Sequence, residues 1–292
     1  MSPDLTPDQG AEWGAGSAVA IGQRHVEQGR PCQDAVRASV GLHPFVMVCD
    51  GRGSSALSQH GSSAATVVVE GVLWCAEPLL QRCLDHLGPE DPFALAGWKD
   101  VSQLLLRSLI QAQEGLAREH GVSAAEFEFT LSLAVVGRRG LGVLQVGDSC
   151  LVLNRDGHAT LAASPQTGAF AGETNFVSPT ETDFRRAEMQ ILPVEQLTGI
   201  VGFSDGVSGK WLHHQTREVA PGVNQILDRL ATGAWDENRV REYLHQQFWR
   251  LGGDDDRSVA YLVRPRIPGT PVQDSPSAGL EPTPKKEELD HV

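Results

Sequence analysis

The amino-acid sequence predicts an α+β fold in which largely antiparallel sheets form a layered sandwich. Short apolar runs of strand length dominate the chain, and they follow one another in groups instead of alternating strictly with helices. Helical periodicity is confined to three longer segments. In addition, Asp156-Gly157 separates two of the apolar runs, and this dipeptide is typical of a tight hairpin between antiparallel strands.

The predicted strands are nine apolar runs bounded by glycine, proline or short polar residues. They cover residues 17–22, 35–40, 44–50, 130–136, 141–147, 149–154, 158–163, 199–204 and 258–263.

Three segments, at 62–87, 100–121 and 236–253, have apolar residues at helical spacing. The first is mostly apolar and is expected to be buried, with Pro78 marking a break or the first turn of a second helix. The second has Asp100 as a candidate N-cap and Gly121 as its stop. The third begins at Asp236 and ends in a glycine pair.

The length and composition indicate one globular domain with a sizeable core. We place it at residues 14–264 of the 292, between tails at 1–13 and 265–292, the second of which is rich in proline. The net charge of −13 disfavours a nucleic-acid partner, because neutralising phosphates requires clustered lysine and arginine. A cation suits this charge balance better.

The five cysteines are odd in number and form no CxxC pair, which predicts neither a disulfide framework nor a zinc site. They are expected to be small core or near-core residues in a reducing compartment. The sequence shows no signal peptide and no apolar stretch of membrane-spanning length. We therefore expect a soluble, cytoplasmic, monomeric protein without a membrane partner.

Four acidic clusters adjoin apolar runs, and they pose the main functional question. They are "CDGRG" at 49–53, "GDS" at 147–149, "SDG" at 204–206 and "GGDDDR" at 252–257. Taken alone, each Asp-Gly pair is more often a turn than a ligand. Mg²⁺ and Mn²⁺, however, prefer a few carboxylates together with a backbone carbonyl and water. Asp50-Gly51, Asp205-Gly206 and Asp255 satisfy that specification.

Taken together, the acidic clusters resemble the motifs of the metal-dependent Ser/Thr protein phosphatases of type 2C. The matching elements occur in the family's order: "QDA" at 33–35, "VCDGRGSS" at 48–55, "VGDSCLVLNRDG" at 146–157, "GFSDGVSG" at 202–209 and "DDRSVAYLV" at 255–263. The resemblance spans roughly residues 17 to 264. The segment "GQRHVEQGRPCQDA" before the second predicted strand resembles bacterial members in particular.

This resemblance implies a four-layer αββα sandwich, with two antiparallel β-sheets flanked by helices. It implies hydrolysis of phosphoserine and phosphothreonine in proteins by a water that bridges two Mn²⁺ or Mg²⁺ ions. The substrate would be a phosphorylated protein, and the enzyme would oppose a cytoplasmic Ser/Thr kinase.

The resemblance also assigns metal-binding roles. Asp50 is expected to bridge the two ions, and Gly51 to offer its carbonyl to one of them. Asp205 and Asp255 would complete the other ion's site. Asp148 matches a position that joins a further, weaker metal site in bacterial relatives.

Three residues are assigned to catalysis. Asp34 would hold metal-bound water. Arg52 stands where eukaryotic relatives carry a histidine proposed as general acid, and its guanidinium is suited to contact phosphate. A phosphate-binding arginine is expected upstream, for which Arg24 is our assignment; Arg30 is an alternative, and His25 is a further candidate contributor.

Further departures from the family pattern keep a rival hypothesis open. Gln33 replaces a common glutamate, "EFTL" at 128–131 replaces Gly-Thr-Thr, and Asp256 replaces the closing asparagine. Asp256 is expected to lie in a solvated loop. The rival is a catalytically weak module that keeps the fold and binds phosphoproteins.

Overall fold

Two five-stranded sheets form the centre of the molecule, in a computed structural model that describes residues 13–163, 165–166, 174–180, 184–213, 215–249 and 254–266. The strands are β1 (Gly14–Ala20), β2 (Ala35–Ser39), β3 (Phe45–Cys49), β4 (Leu131–Val136), β5 (Gly140–Val146), β6 (Cys150–Arg155), β7 (His158–Leu161), β8 (Glu188–Pro193), β9 (Leu197–Phe203), β10 (Leu212–His213), β11 (Glu218–Val219) and β12 (Arg257–Val263). One sheet has the order β1-β12-β9-β6-β7 and the other β2-β3-β4-β5-β8, while β10 and β11 form a separate ribbon. Neighbouring strands are antiparallel throughout both sheets.

Helices cover the outer face of each sheet. They are α1 (Gln23–Gln28), α2 (Ser58–Cys75), α3 (Glu77–Leu80), α4 (Pro92–His120), α5 (Asp205–Trp211), α6 (Pro221–Ala231) and α7 (Glu237–Trp249), with a π-helical turn at Gln81–His86 and a 3₁₀ turn at Ala124–Phe127. Helices α2 and α4 pack on the β2-β3-β4-β5-β8 sheet, and helices α5, α6 and α7 pack on the other.

The alternation of side chains along β3 explains the layers. Val46 and Val48 point into the core between the two sheets, whereas Phe45 and Met47 pack against the helices on the outer face. Both faces of the strand are therefore buried, which accounts for its unbroken apolar sequence. The predicted four-layer αββα sandwich is confirmed.

Helix α4 begins earlier than predicted. Asp91, not Asp100, is its N-cap, and the Asp91 carboxylate accepts a hydrogen bond of 2.8 Å from the backbone N–H of Phe93. Pro92 follows at the first helical position, where its missing N–H costs nothing. Gly121 ends the helix as predicted, in the left-handed conformation with φ of +67°.

The remaining differences concern short elements. The predicted helix at 62–87 is divided into α2, α3 and the π-helical turn, with the break just before Pro78 as expected. Asp236 caps α7 by accepting a 2.8 Å hydrogen bond from the Arg239 N–H, while the glycines of its predicted end lie outside the described residues. Helices α1, α5 and α6 and strands β8, β10 and β11 were not predicted from the sequence.

The hairpin prediction is confirmed. Asp156 and Gly157 have φ of +48° and +86° and connect β6 to β7. The described part of the chain includes no single helix with the length and apolar character needed to cross a membrane; α2 and the helical segment Glu77–His86 satisfy both criteria only when counted together, and they meet at 68°.

All five cysteines are free thiols in the structure. Cys75 is exposed, contrary to the expectation that all five are core or near-core residues. Most residues of the two predicted tails lie outside the described residues. Trp13, at the edge of the first, stacks under the Arg264 guanidinium at 5.1 Å.

Candidate metal centre

The strand register brings five predicted aspartates to one edge of the sandwich. Each lies beside a strand end at that edge: Asp34 before β2, Asp50 after β3, Asp148 between β5 and β6, Asp205 after β9 and Asp255 before β12. The pairs Ala35–Cys49, Leu131–Val146, Cys150–Phe203 and Val259–Phe203 align these ends. Antiparallel pairing therefore explains how residues far apart in sequence meet.

Asp50 is at the centre of this cluster. Burial raises the pKa of the Asp50 carboxyl well above its ordinary value. The neighbouring charges of Asp34, Asp205 and Asp255 raise this pKa further. The prediction that these carboxylates converge is thus supported by their mutual electrostatic effect.

Asp34 is the most deeply buried member of the cluster. Burial, followed by the charge of Asp256, raises the pKa of Asp34 to about 7. The hydroxyls of Ser204 and Ser258 lie near enough to favour its charged form, yet neither carboxylate oxygen has a hydrogen-bond partner of good geometry among the described residues. Two unpartnered buried oxygens indicate a missing polar ligand or water.

Asp205 and Asp148 complete the acidic edge. Burial and the charge of Asp255 raise the pKa of Asp205 to about 6, and its Oδ1 has no hydrogen-bond partner among the described residues. Burial also raises the pKa of Asp148, while a 2.7 Å hydrogen bond from Thr174 lowers it. Asp255 is exposed, so the cluster opens to solvent on its side.

Position 51 has room only for glycine. A Cβ on Gly51 would lie 2.8 Å from both the Gln33 carbonyl oxygen and the Ser58 hydroxyl oxygen. The Gly51 N–H donates to the same Gln33 carbonyl at 3.2 Å. On the other side, Asp50 and Thr130 exchange hydrogen bonds of 2.8 and 3.2 Å, which fix the loop that carries Asp50.

The donor set fits a hard divalent cation. Carboxylate oxygens dominate it, and several of them are unpartnered in the described structure. No group of three or more His, Cys, Asp or Glu side chains among the described residues is arranged to hold a cation as it stands. Ions that keep several water ligands need fewer protein donors, and the unpartnered oxygens of Asp34 and Asp205 suit such ions.

Arg52 lies at the rim of the cluster and is already paired. Its guanidinium donates to Glu128 at 2.9 Å and to Ser54 at 3.0 Å, and it lies 5.9 Å from the Phe176 ring centre. Glu128, in turn, accepts a hydrogen bond from Ser178. Arg52 thereby connects the loop of Asp50 to the segment at 174–180.

The two upstream arginines differ in their surroundings. The Arg24 side chain is exposed and makes no hydrogen bond or ion pair with the described residues, although its backbone N–H donates to the Asp254 carbonyl at 3.2 Å. The Arg30 guanidinium reaches the Gly53 carbonyl at 3.5 Å, beside Asp50-Gly51. The structure therefore gives Arg30 the more direct link to that loop.

The expectation that Asp256 is solvated is wrong. Its side chain is only 2% exposed, and it accepts hydrogen bonds from three N–H donors, one of which belongs to His25. His25 is therefore a buried, satisfied residue. The replacement of asparagine by aspartate at 256 was the one signal in the sequence that pointed to this arrangement.

Gly206 provides a test of how tightly the site is packed. A Cβ at this position would lie 2.0 Å from the Asp256 carbonyl oxygen, so Gly206→Ala must displace backbone next to Asp205. We expect the free energy of unfolding to fall by about 2 kcal/mol. Urea denaturation followed by tryptophan fluorescence measures it.

The matched control lies in the same helix. Gly209 is exposed with open space around its Cβ position, so Gly209→Ala is expected to be neutral or to stabilise α5 by up to about 1 kcal/mol. Equal stability losses for the two variants would contradict the close packing of Gly206.

Comparison with known proteins adds independent information. A family model described as Protein phosphatase 2C matches residues 21–248, more than half of the chain. The chain is 23% identical over 261 residues to serine/threonine-protein phosphatase 3 of Escherichia coli (strain K12), covering 86% of this chain and 98% of that protein.

Solved structures share the fold. The structure of "PppA, a key regulatory component of T6SS in Pseudomonas aeruginosa" has a TM-score of 0.58 at 15% identity and covers 86% of this chain and 97% of its own. The Mycobacterium tuberculosis serine/threonine phosphatase PstP/Ppp has a TM-score of 0.56 at 16% identity, with 87% and 99% covered. The PstP catalytic domain in complex with 2 manganese ions gives the same values. At these identities the likeness shows the fold.

Proposed function

Because the chain belongs to the protein phosphatase 2C family, we propose that it hydrolyses phosphoserine and phosphothreonine in proteins and requires Mn²⁺ or Mg²⁺. The observation that carries this proposal is the convergence of five aspartates at one edge of the sandwich, with the buried oxygens of Asp34 unpartnered. The two manganese ions bound to the related PstP domain support divalent cations as the cofactor.

In this proposal Asp50 would help to hold both cations, the first together with the Gly51 carbonyl and the second together with Asp205 and Asp255. Asp148 would contribute to a third, weaker site. Two divalent cations held there would activate a water molecule and neutralise charge on the phosphoryl oxygens. The electrostatic effects of these carboxylates on one another support a shared role.

The protein's own polar groups would position the substrate. Asp34 would orient the attacking water, and its two carboxylate oxygens without a hydrogen-bond partner among the described residues support this role. Arg52 would bind the substrate phosphate, exchanging its ion pair with Glu128 for a bidentate contact. Arg24 and Arg30 are the candidates for a further phosphate-binding arginine, and the contact between Arg30 and Gly53 favours Arg30.

The cysteines near the cluster do not suit nucleophilic catalysis. Burial raises the pKa of Cys32 and Cys49 far above neutrality and that of Cys150 to about 12. A protonated thiol is a poor nucleophile. Direct attack by water therefore agrees better with the site than a covalent phosphocysteine.

The biological setting extends the proposal. We expect the substrate to be a phosphorylated protein and the opposing enzyme a Ser/Thr kinase of the cytoplasm. A monomeric state and the absence of nucleic-acid and membrane partners remain predictions from the sequence.

Metal dependence is the direct test. The full chain is stripped with EDTA and then assayed on a phosphothreonine peptide with Mn²⁺, Mg²⁺ or no cation. We expect Mn²⁺ or Mg²⁺ to raise the rate of phosphate release at least about 100-fold, because the carboxylate cluster alone repels a phosphate anion. Release of inorganic phosphate measures the rate.

The result also decides between enzyme and binding module. A protein that shows no metal-dependent phosphate release, yet retains the phosphopeptide in a pull-down, would be the catalytically weak module and would contradict the enzyme proposal. Ca²⁺, which is larger and prefers more ligands, serves as the control cation and is expected to support little activity.

A further inference from the structure

The buried carboxylate of Asp256 joins three segments that are far apart in sequence. Its Oδ1 accepts the Gly22 N–H at 2.7 Å, and its Oδ2 accepts the Gln33 N–H at 2.6 Å and lies 2.8 Å from His25 Nδ1. Asp256 and His25 are each 2% exposed. The start of α1, the loop before β2 and the start of β12 thus meet on one side chain.

Three N–H donors explain why this position holds an acid. A carboxylate presents two acceptor oxygens, whereas an asparagine presents one oxygen and an NH₂ group. Whichever way an asparagine at 256 turned, its NH₂ would face at least one of the three donors. A buried N–H without an acceptor costs about 1–3 kcal/mol. A carboxylate at 256 is therefore needed to accept all three donors, including the one from His25.

The same side chain lies directly behind the candidate metal ligands. Gln33, whose N–H is held by Asp256, precedes Asp34 in the chain. The Gln33 carbonyl also accepts hydrogen bonds from the Gly51 N–H at 3.2 Å and from the Ser62 hydroxyl at 2.6 Å. A continuous chain of hydrogen bonds thus runs from Asp256 through Gln33 to Gly51.

Asp255 is tied to the same point. Its Oδ1 accepts the N–H of Asp256 at 3.0 Å, so the orientation of the Asp255 side chain depends on the placement of the Asp256 backbone. A shift of Asp256 would therefore be transmitted to candidate ligands on both sides of the cluster.

We propose that His25 and Asp256 are a pair of positioning residues that hold Asp34, Gly51 and Asp255 in place for cation binding. The role of the cations in catalysis rests on the proposed function, whereas the effect of the pair on cation binding can be tested without it. Both side chains are too deeply buried to contact a protein substrate. The pair acts through the backbone of Gln33 and Asp256, in the way that outer hydrogen-bond partners orient metal ligands in other proteins.

The test measures Mn²⁺ binding to the full chain by isothermal titration calorimetry, without substrate. We expect Asp256→Asn and His25→Leu to weaken Mn²⁺ binding about tenfold or more. His25→Asn is expected to stay within about threefold of the parent protein, because the asparagine NH₂ occupies nearly the position of the histidine Nδ1–H and can donate to Asp256.

Asp254→Asn is the matched control for charge. Asp254 is the exposed neighbour of Asp255, so the substitution removes one negative charge from the same loop without touching the buried pair. It is expected to leave Mn²⁺ affinity within about twofold, because charges that face solvent are strongly screened. Thermal melting in EDTA shows whether each variant is folded.

Two results would overturn the proposal. One is a folded Asp256→Asn protein that binds Mn²⁺ as tightly as Asp254→Asn. The other is an equal loss of affinity in His25→Leu and His25→Asn while both remain folded, since the hydrogen bond would then be irrelevant. If Asp256→Asn fails to fold, the comparison of the two His25 variants decides. A lack of phosphatase activity in the parent protein would refute the proposed function but leave this comparison valid.

Discussion

Asp50→Asn is expected to lower kcat on a phosphothreonine peptide by about 10³-fold while stabilising the metal-free protein. The amide keeps the size of the carboxyl and the backbone hydrogen bonds between Asp50 and Thr130. It loses the negative charge and one of the two ligand oxygens, which a bridging carboxylate needs in order to hold two cations. Losing charge stabilisation at a reaction centre has effects of about this size.

The gain in stability has a separate physical cause. Asp50 is a partly buried carboxyl surrounded by Asp34, Asp205 and Asp255, so the metal-free fold contains repelling acids that have lost much of their hydration. Removing one of them is expected to raise the free energy of unfolding in EDTA by about 1 kcal/mol. Function and stability therefore change in opposite directions, as expected of a residue whose charge is used only when a cation is present.

Both readouts have a common control. Asp156→Asn removes the same charge from the exposed β6–β7 turn, where asparagine tolerates the left-handed conformation of Asp156. It should leave kcat and stability unchanged. An Asp50→Asn protein with more than a tenth of the parent kcat would show that Asp50 does not bridge the cations. A variant that loses both activity and stability would make Asp50 a folding residue instead.

The sequence was sufficient for the sandwich and for the location of the cluster. Strands such as β3 and β9 consist mostly of buried apolar residues, so their positions follow from composition, and an aspartate follows each of them within two residues. In an antiparallel pair the end of one strand lies beside the start of its neighbour, so acids at these positions were expected to meet at one edge. The order of the motifs, which matches that of the type 2C phosphatases, indicated which of these aspartates belong to one site.

Short helices could not be predicted for an identifiable reason. Helix α5 starts at Asp205 itself, so its first turn has the sequence of a loop, and it is only 7 residues long. Helix α6 did carry a signal, since Pro221 stands at its start and Val223, Ile226 and Leu227 share its buried face. The helical pattern of α6 was weaker than the neighbouring strand and turn patterns, so the helix was not predicted.

The buried pair of His25 and Asp256 was not predicted, although aspartate in place of the family's asparagine at 256 marked the position as unusual. Asp256 lies in a run of three aspartates, and acidic runs are normally solvated. Its burial depends on donors 223 to 234 residues away, and no local pattern reports those. Predictions from sequence fail here because the three donors come from segments that only the finished fold brings together.

Arg257→Met is expected to reduce the free energy of unfolding by about 3–5 kcal/mol, the largest stability effect that we predict. The Arg257 side chain is fully buried at the start of β12, where its guanidinium donates to the Ile21 carbonyl at 2.9 Å and to the Leu244 carbonyl at 3.3 Å. Burial lowers the pKa of Arg257, while the charge of Asp256 raises it.

Methionine can fill the space but cannot replace the charge or the donors. Two buried carbonyls would lose a partner, and Asp256 would lose the nearby positive charge that offsets part of its burial. Removing one member of a buried ionic arrangement costs much more than removing the whole arrangement, because the remaining charge is left uncompensated. Urea denaturation monitored by circular dichroism measures the loss.

An exposed arginine on the neighbouring helix gives the reference value. Arg241 pairs with Glu237 on the surface of α7 at 3.2 Å, and Arg241→Met should change the free energy of unfolding by no more than about 0.5 kcal/mol. If Arg257→Met costs as little as Arg241→Met, the buried guanidinium does not offset the acids beside it. A large loss for Arg257→Met alone would instead mean that the buried guanidinium of Arg257 stabilises the acidic edge. Without metal ions, the carboxylates of that edge repel one another.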